Sequence, residues 1–265
     1  MKDKTKRVVR KYYEYLMTKI ELLWRQKKYT NDGTGVKYIL KKHSDAEVLT
    51  VVLSSCTRRG IKARYNYMKT LKNVPCHQLF VLDDYAEDRR GSYYLGENLK
   101  FNEEKTVHML IQKTIRETNA KRVVFCGSSK GGYAALNFGL EYDDAFIIAG
   151  GPQYFLGDYL IGSSNVEAFR HTIGNSDEEE GKQLLNRRLK NKVLNQNGKG
   201  NQNIYLHYSD KEHTYEEHIK YLLQDLSERG YKVYTDVADY TNHSDIAYYF
   251  PDFLKAKLAE ILNLQ

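Results

Sequence analysis

The segment VVFCGSSKGGYAALNFGL, residues 123–140, constrains the fold of this chain more than any other stretch. Residues 123–126 form an apolar, β-branched and aromatic run that is typical of a strand buried on both faces. Residues 133–140 are rich in alanine and leucine and predict a helix. The chain turns from one element into the other within residues 127–132, which are all glycine or serine except Lys130. Such a turn is used by phosphate loops, by dinucleotide-binding loops and by nucleophile elbows.

The spacing of the glycines separates these three kinds of turn. A phosphate loop places its lysine after the second glycine, whereas Lys130 precedes the glycine pair 131–132. A dinucleotide-binding turn needs a glycine at its middle position, where Ser129 stands. The Gly-x-Ser-x-Gly pattern of a nucleophile elbow matches residues 127–131, with glycine two residues before and two residues after Ser129. The spacing therefore predicts Ser129, rather than Ser128, as a nucleophile.

From residue 35 onward, strand-like runs alternate with helix-like segments. Strands are predicted at residues 36–40, 48–53, 78–82, 123–126, 145–149, 204–208 and 233–237. Helices are predicted at residues 61–71, 103–118, 133–140 and 215–229, and beyond residue 244. This alternation predicts an α/β protein with a mainly parallel sheet that is covered by helices on both faces.

The polar, helix-rich segment 151–201 interrupts the alternation. It predicts either a lid-like insert over the site or a solvent-facing decoration. The domain hypothesis is therefore a basic N-terminal helix over residues 1–34, followed by one α/β domain over residues 35–265 that contains this insert.

Composition limits the class of protein. A chain of 265 residues with 41% hydrophobic residues can bury roughly 70–75% of its unfolded surface, enough for one α/β domain. No apolar run approaches the ~20 residues of a membrane span, and no signal-peptide pattern opens the sequence. Three widely spaced cysteines argue against a zinc site or a disulfide framework and favour a reducing cytoplasm. Nothing in the sequence calls for a metal or an organic cofactor.

The net charge of +7 is partly concentrated in residues 1–34. This stretch is basic, aromatic and amphipathic, which predicts a helix that packs on the domain or that attaches to an anionic membrane surface or to a protein partner. No nucleic-acid-binding module is recognisable, so nucleic acid is not an expected partner.

A serine nucleophile needs a base and an acid, and the chain order of the α/β-hydrolases is Ser, then Asp or Glu, then His. Asp210 lies two residues beyond a predicted strand, where a loop at the carboxyl edge of the sheet would present it. His243 follows the last predicted strand, just before a helix. The order predicts a triad of Ser129, His243 and Asp210.

Other residues compete for these roles. Glu212 and Asp236 are the alternatives for the acid, whereas Asp245 better fits the cap of the final helix. The remaining candidate histidines fall in a strand, on or near a helix, or in the insert, and none follows the last strand: His207, His213, His218 and His171.

The oxyanion of an acyl-transfer intermediate needs two backbone N–H donors. One is expected from Lys130, the residue after the nucleophile, and the other from Ser55 or Cys56 in the loop after an earlier strand. Substrate binding is predicted for basic and aromatic side chains on the loops after two strands: Arg58, Arg90, Tyr93 and Tyr94.

Four segments carry a resemblance to known proteins: GSSKGGYAAL, RGSYYLGEN, GGPQYFLGDYL and TNHSD. The chain resembles the α/β-hydrolase-like proteins of bacterial capsular polysaccharide biosynthesis. It is more distantly similar to the hydrolase part of the second accessory Sec protein, from the export system for serine-rich-repeat adhesins. The resemblance covers roughly residues 35–263. It implies an α/β-hydrolase fold in a cytoplasmic bacterial protein that acts on a surface glycan or its precursor, with acetyl transfer to sugars and Ser129 as nucleophile. The additional sheet-rich region of the longer secretion proteins has no counterpart here.

Three functions are compatible with these residues. The leading prediction is a serine-dependent esterase or O-acyl(acetyl)transferase, in which water or a sugar hydroxyl accepts the acyl group. The alternative is a non-catalytic scaffold in a capsule or accessory secretion complex, which would be favoured if the triad residues lay too far apart to hydrogen-bond. A peptidase of the same fold ranks lower, because no propeller or other gating domain is present in the sequence.

Overall fold

A computed structural model describes residues 22, 24–195 and 201–263. The strands are β1 (Lys27–Asn31), β2 (Thr34–Lys41), β3 (Val48–Leu53), β4 (His77–Leu82), β5 (Arg122–Ser128), β6 (Phe146–Gly150), β7 (Asn203–Tyr208) and β8 (Lys232–Val237). The helices are α1 (Asn102–Thr118), α2 (Lys130–Gly139), α3 (Leu156–Gly162), α4 (Val166–Ile173), α5 (Glu178–Asn195), α6 (Lys220–Glu228) and α7 (Ile246–Leu262). A π-helical turn, Tyr215–Ile219, leads into α6, and a 3₁₀ turn, His243–Asp245, leads into α7.

The strands form one sheet in the order β1-β2-β4-β3-β5-β6-β7-β8. β2 runs antiparallel to both β1 and β4, and every pair from β4 onward is parallel. The carboxyl ends of β5, β6, β7 and β8 therefore lie at one edge of the sheet, where loops can bring side chains from distant parts of the sequence together. The predicted, mainly parallel sheet is confirmed.

Helices cover both faces of this sheet. One core layer contains the apolar faces of α1, α2, α5 and α6, and the other is built around α7. The central strands β3 and β4 are buried at every residue, which explains why most of their residues are apolar. Each fully buried Leu, Ile or Phe in these layers contributes about 1.5–3 kcal/mol, which fixes the strand ends that carry the site.

Two sequence predictions differ from the structure. Residues 61–71 are not helical but form loops and turns. The short polar edge strand β1 was not predicted, and it places the start of the sheet before residue 35. The predicted N-terminal helix lies largely outside the described residues. The segment 151–195 is indeed helical, since it contains α3, α4 and α5.

Candidate active site

Ser129 occupies a sharp turn between β5 and α2. Its backbone has φ 52° and ψ −120°, a left-handed conformation that non-glycine residues rarely adopt. A Cβ at Gly127 would lie 2.6 Å from the backbone of Gly131, and one at Gly131 would lie 2.4 Å from the carbonyl oxygen of Leu53. Only glycine fits at both positions. This close packing holds the Ser129 side chain, which is half-buried, at the carboxyl edge of the sheet.

His243 lies against Ser129. The Ser129 hydroxyl donates to Nε2 of His243 over 2.9 Å, and the 3₁₀ turn after the β8 loop carries the imidazole to the end of β5. The side chain of His243 is mostly buried, with 17% exposed. Two residues that are 114 positions apart in the sequence are thus brought within hydrogen-bonding distance, as the predicted chain order requires.

The acid beside His243 is Glu212 and not Asp210. Nδ1 of His243 lies 2.9 Å from one carboxylate oxygen of Glu212 and 3.1 Å from the other. Glu212 is fully buried and also accepts a hydrogen bond from the Thr214 hydroxyl. Asp210 is exposed, because it sits in the turn that directly follows β7. The chain turns back into the protein two residues later, so that Glu212 rather than Asp210 reaches His243. The prediction of Asp210 was therefore wrong.

The environment of Glu212 keeps it ionised. Burial opposes ionisation, but hydrogen bonds from His243 and Thr214 outweigh it and hold the pKa of Glu212 below its ordinary value. The other alternative acid, Asp236, is engaged elsewhere, since its carboxylate lies 2.6 Å from Nδ1 of His207. Glu212 is therefore the carboxylate that fixes the orientation of His243.

The amides near Ser129 define where an oxyanion could sit. Lys130 is the first residue of α2, and an amide at that position has no partner within the helix. The Ser55 amide already donates to Oδ1 of Asn66 over 2.9 Å, so Ser55 is not a free donor. Of the two predicted second donors only Cys56 is left, and its role as an oxyanion donor stays a prediction.

The Lys130 side chain turns away from the substrate side. Its Nζ is fully buried, 2.9 Å from a carboxylate oxygen of Asp83 and 2.9 Å from the carbonyl of Arg90. Asp83 also accepts hydrogen bonds from the amides of Ser92 and Tyr94. This buried ion pair joins the start of α2 to the loop after β4, and so helps to hold the elbow in place.

Most of the predicted substrate-binding residues are buried and do not line the mouth of the site. Tyr93 and Tyr94 are 1% exposed and Arg90 is 4% exposed, so the prediction that they line the mouth of the site was wrong. The Arg90 guanidinium donates to the carbonyls of Thr57 and Ser164, each over 2.8 Å. These buried groups hold loops around the site rather than contacting substrate. Arg58 is exposed, and a substrate role for it stays a prediction.

Two side chains near Ser129 were missed. The amide nitrogen of Gln153 lies 3.5 Å from the Ser129 hydroxyl. Burial raises the pKa of Tyr159 to about 12, against smaller opposing contributions from the neighbouring hydroxyl groups of Ser129 and Tyr93. Both belong to the GGPQYFLGDYL segment directly after β6, and a position beyond the carboxyl end of a central strand is the signal that could have indicated them.

The described part of the chain contains neither a cluster of metal-binding side chains nor a membrane-spanning helix. No cluster of three or more His, Cys, Asp or Glu residues in residues 22, 24–195 and 201–263 could hold a metal ion. None of the helices in these same ranges is both long enough and apolar enough to cross a bilayer.

The strand order and the elbow define an α/β-hydrolase fold, and comparison with solved structures shows the same fold. The capsule O-acetyltransferase of Neisseria meningitidis serogroup A has a TM-score of 0.74 at 23% identity, covering 88% of this chain and 94% of that one. One structure of a variant of that enzyme contains CoA. No protein-family model and no curated protein sequence matches the chain.

Two further solved structures are similar. The Glycosylation Associate Protein (Gap123) complex from Streptococcus agalactiae has a TM-score of 0.71 at 16% identity, over 89% of this chain and 46% of that one. FphF, a fluorophosphonate-binding serine hydrolase of Staphylococcus aureus, has a TM-score of 0.64 at 11% identity, over 90% of this chain and 98% of that one. The α/β-hydrolase fold implied by the sequence resemblance is thereby confirmed.

Proposed function

We propose that the chain is a serine-dependent esterase or O-acyl(acetyl)transferase that acts on a bacterial surface glycan or its precursor. The observation that carries this proposal is the hydrogen-bonded series Ser129, His243 and Glu212 at a strained elbow. Each member contacts the next over 2.9 Å, which is the arrangement that activates a serine hydroxyl. The triad is therefore Ser-His-Glu rather than the Ser-His-Asp of the sequence prediction.

The first half of the reaction forms an acyl-enzyme. The Ser129 oxygen attacks the carbonyl carbon of an acyl ester or thioester, and its proton passes to Nε2 of His243. The ionised Glu212 accepts the hydrogen bond from Nδ1 and stabilises the imidazolium. The bond to the leaving group then breaks, and the leaving group takes the proton from His243. Lys130 and Cys56 supply the amides that face the oxyanion.

The second half returns the enzyme to its starting state. A hydroxyl group of water or of a sugar attacks the acyl carbon and gives its proton to Nε2 of His243. The bond from the acyl group to Ser129 breaks, and Ser129 regains the proton. With water the enzyme is an esterase, and with a sugar it is an O-acyltransferase.

The similar structures support the direction of this proposal. The Neisseria protein is named as a capsule O-acetyltransferase and has been seen with CoA, so we extend a glycan acceptor and an activated acyl donor to this chain. A cytoplasmic location, and a membrane-surface or protein partner for residues 1–34, belong to the same proposal. The scaffold alternative would be favoured by triad side chains that lie too far apart to hydrogen-bond. The 2.9 Å between the Ser129 hydroxyl and Nε2 of His243 does not favour it.

A fluorophosphonate probe tests the proposal, because it labels only an activated serine. We expect labelling of the wild type and its loss in Ser129→Ala and His243→Ala, with folding checked by circular dichroism. Ser128→Ala is the matched control and should keep its labelling, since Ser128 contacts Tyr67 and Ser55 rather than His243. Labelling that survives in Ser129→Ala would refute the nucleophile. A folded wild type that neither reacts with the probe nor hydrolyses p-nitrophenyl acetate would support the scaffold.

A further inference from the structure

A pocket of about 650 Å³ opens beside the proposed triad, between α3 and the turn that leads into α6. Tyr159 is one of its lining residues, and the Ser129 hydroxyl is one of the groups that influence the pKa of Tyr159. The ring of His213, on the opposite wall, is centred 6.3 Å from the ring of His243. The volume of the pocket falls within the range of roughly 300–1,000 Å³ that is typical of small-molecule sites. Through His213 the pocket lies close to His243, the base of the proposed triad.

His218 lines this pocket and has an unused hydrogen-bond donor. The amide of Phe155 donates to Nδ1 of His218 over 3.3 Å, and because an amide can only donate, the proton of a neutral ring is on Nε2. Burial lowers the pKa of His218 to about 4, so the ring is neutral at physiological pH.

The His218 side chain is 2% exposed, and its Nε2 has no hydrogen-bond partner in the described part of the chain. The nearest carboxylate, that of Glu217, is 4.0 Å away, beyond hydrogen-bonding distance. A buried donor without an acceptor costs free energy, because it has lost its hydrogen bond to water. An oxygen atom of a bound molecule would remove that cost.

The walls of the pocket are aromatic. The rings of Phe155 and Tyr221 are centred 5.4 Å apart, and those of Tyr159 and His218 5.7 Å apart. Flat rings with polar edges suit a ligand that has C–H-rich faces and hydroxyl groups around its rim. A pyranose ring has this shape and chemistry.

The charges around the pocket argue against an anionic ligand. Asp158 and Glu217 line it, and no lysine or arginine of the described chain is among its lining residues. Asp158 is partly neutralised by Lys182 at 3.1 Å. Phosphate and carboxylate groups are bound in proteins by arginine and lysine, whereas carboxylates accept hydrogen bonds from hydroxyl groups. The pocket therefore suits a neutral sugar.

We propose that this pocket is the acceptor subsite and that it binds one neutral pyranose ring of the glycan. The ring packs on Tyr159 and Tyr221, and one of its oxygens accepts the hydrogen bond from Nε2 of His218. A sugar hydroxyl held beside the acyl-enzyme competes with water, which favours transfer over hydrolysis. This inference rests on the proposed acyl-enzyme chemistry of Ser129.

The test separates acyl-enzyme formation from transfer. The donor is p-nitrophenyl acetate, and the acceptors are an equimolar mixture of the methyl glycosides of glucose, galactose, mannose and their N-acetylamino counterparts. The burst of p-nitrophenolate reports acylation, and mass spectrometry gives the ratio of acetylated sugar to acetate. We expect the wild type to acetylate at least one glycoside, with Ser129→Ala as the background.

Gly162→Trp is the most direct variant, because Gly162 lines the pocket and a Cβ there meets no atom within 4 Å. It should lower the ratio of acetylated sugar to acetate by on the order of tenfold, while the burst stays within about twofold. Tyr221→Ala should lower the same ratio, since Tyr221 is 42% exposed and its loss leaves the core intact. Met109→Trp, which adds a tryptophan at an exposed position outside the pocket, should change neither quantity.

The outcomes separate the two proposals. A normal burst with no acetylated glycoside, or with a ratio that neither pocket variant changes, would overturn the acceptor subsite and leave the serine chemistry standing. Absence of any Ser129-dependent release of p-nitrophenolate from a folded wild type would overturn the serine chemistry, and the subsite with it.

Discussion

Single residues decide the chemistry of this site, and the contrast between Glu212 and Asp210 is the sharpest. The two acids are two positions apart, yet one is fully buried against His243 and the other is exposed. Glu212→Gln removes the charge that stabilises the imidazolium and should lower kcat/KM by on the order of 10²–10⁴-fold. Asp210→Asn should leave kcat/KM within about twofold, because Asp210 is exposed and does not contact the triad.

Hydrolysis of p-nitrophenyl acetate by the two purified variants measures this difference. Circular dichroism controls for the loss of the hydrogen bond from Thr214 to Glu212. Equal losses in both variants, or a larger loss in Asp210→Asn, would mean that the side-chain contacts of His243 do not identify its working partner.

The elbow glycines give a second prediction at this scale. A Cβ at Gly131 would lie 2.4 Å from the carbonyl oxygen of Leu53, which is backbone and cannot move aside. Gly131→Ala should therefore lower the free energy of unfolding by about 1–3 kcal/mol. Gly162→Ala is the matched control, because nothing lies within 4 Å of that position. Urea denaturation compares the two, and equal stability would show that the elbow tolerates a side chain.

The sequence could predict part of this site. Ser129 and His243 follow from a spacing rule and from chain order, which are properties of the one-dimensional sequence. Glu212 does not, because its position depends on a turn in which the Ser209 hydroxyl accepts hydrogen bonds from the amides of Lys211 and Tyr240. Tyr240 comes from a different loop, so the exit direction of the chain after β7 is set by tertiary contacts.

At the scale of elements, the buried pair of Lys130 and Asp83 joins α2 to the loop after β4. Both side chains are fully buried, so removing one partner leaves an uncompensated charge. Lys130→Met and Asp83→Asn should each lower the free energy of unfolding by about 3–5 kcal/mol. In a double-mutant cycle measured by urea denaturation, Lys130→Met with Asp83→Asn should cost clearly less than the sum of the two single variants. Additive costs would mean that the two groups do not interact.

Elements were predictable where burial alone determined them. The residues of β3 are buried throughout, and their apolar run, interrupted only by Thr50, marks the strand. Residues 61–71 have an apolar pattern that suggests a helix, but Asn66 and Tyr67 are held by Ser55 and Ser128. Tyr67 has φ 60°, which no α-helix accommodates. Tertiary hydrogen bonds thus override a local preference, as they do wherever a loop serves a site.

At the scale of the whole molecule, the insert is fastened to the rest of the domain by buried polar contacts. His171 on α4 lies 3.2 Å from the carboxylate of Glu103 on α1. Arg90 reaches the carbonyl of Ser164 in the same insert. Because α3 carries Tyr159 to the nucleophile, these contacts help to hold one wall of the proposed acceptor pocket in place.

The pair of Glu103 and His171 makes stability depend on pH. Burial raises the pKa of Glu103 from 4.5 to about 7, so between these values the folded protein keeps a proton that the unfolded chain has lost. The free energy of unfolding therefore falls as the pH rises through this window. The pKa of His171 is raised by its hydrogen bond to Glu103, so its stabilising contribution is also lost as the pH rises above 6.5. The buried His218, with its pKa lowered to about 4, acts in the opposite direction between about pH 4 and 6.5.

A comparison of variants isolates the contribution of this pair. Relative to Glu103→Gln, the wild type should lose on the order of 1–3 kcal/mol of unfolding free energy between about pH 5 and 8, since one pKa unit corresponds to about 1.4 kcal/mol.

His218 is present in both proteins, so its opposing effect cancels in the difference. Glu87→Gln, at an exposed position, is the matched control for the loss of one carboxylate. Urea denaturation at several pH values measures these differences, and a constant difference for Glu103→Gln would mean that the carboxyl ionises as it does in the unfolded chain. The expected fall instead means that burial of the Glu103 carboxyl between α1 and the insert outweighs its hydrogen bond with His171, which by itself favours the ionised carboxylate.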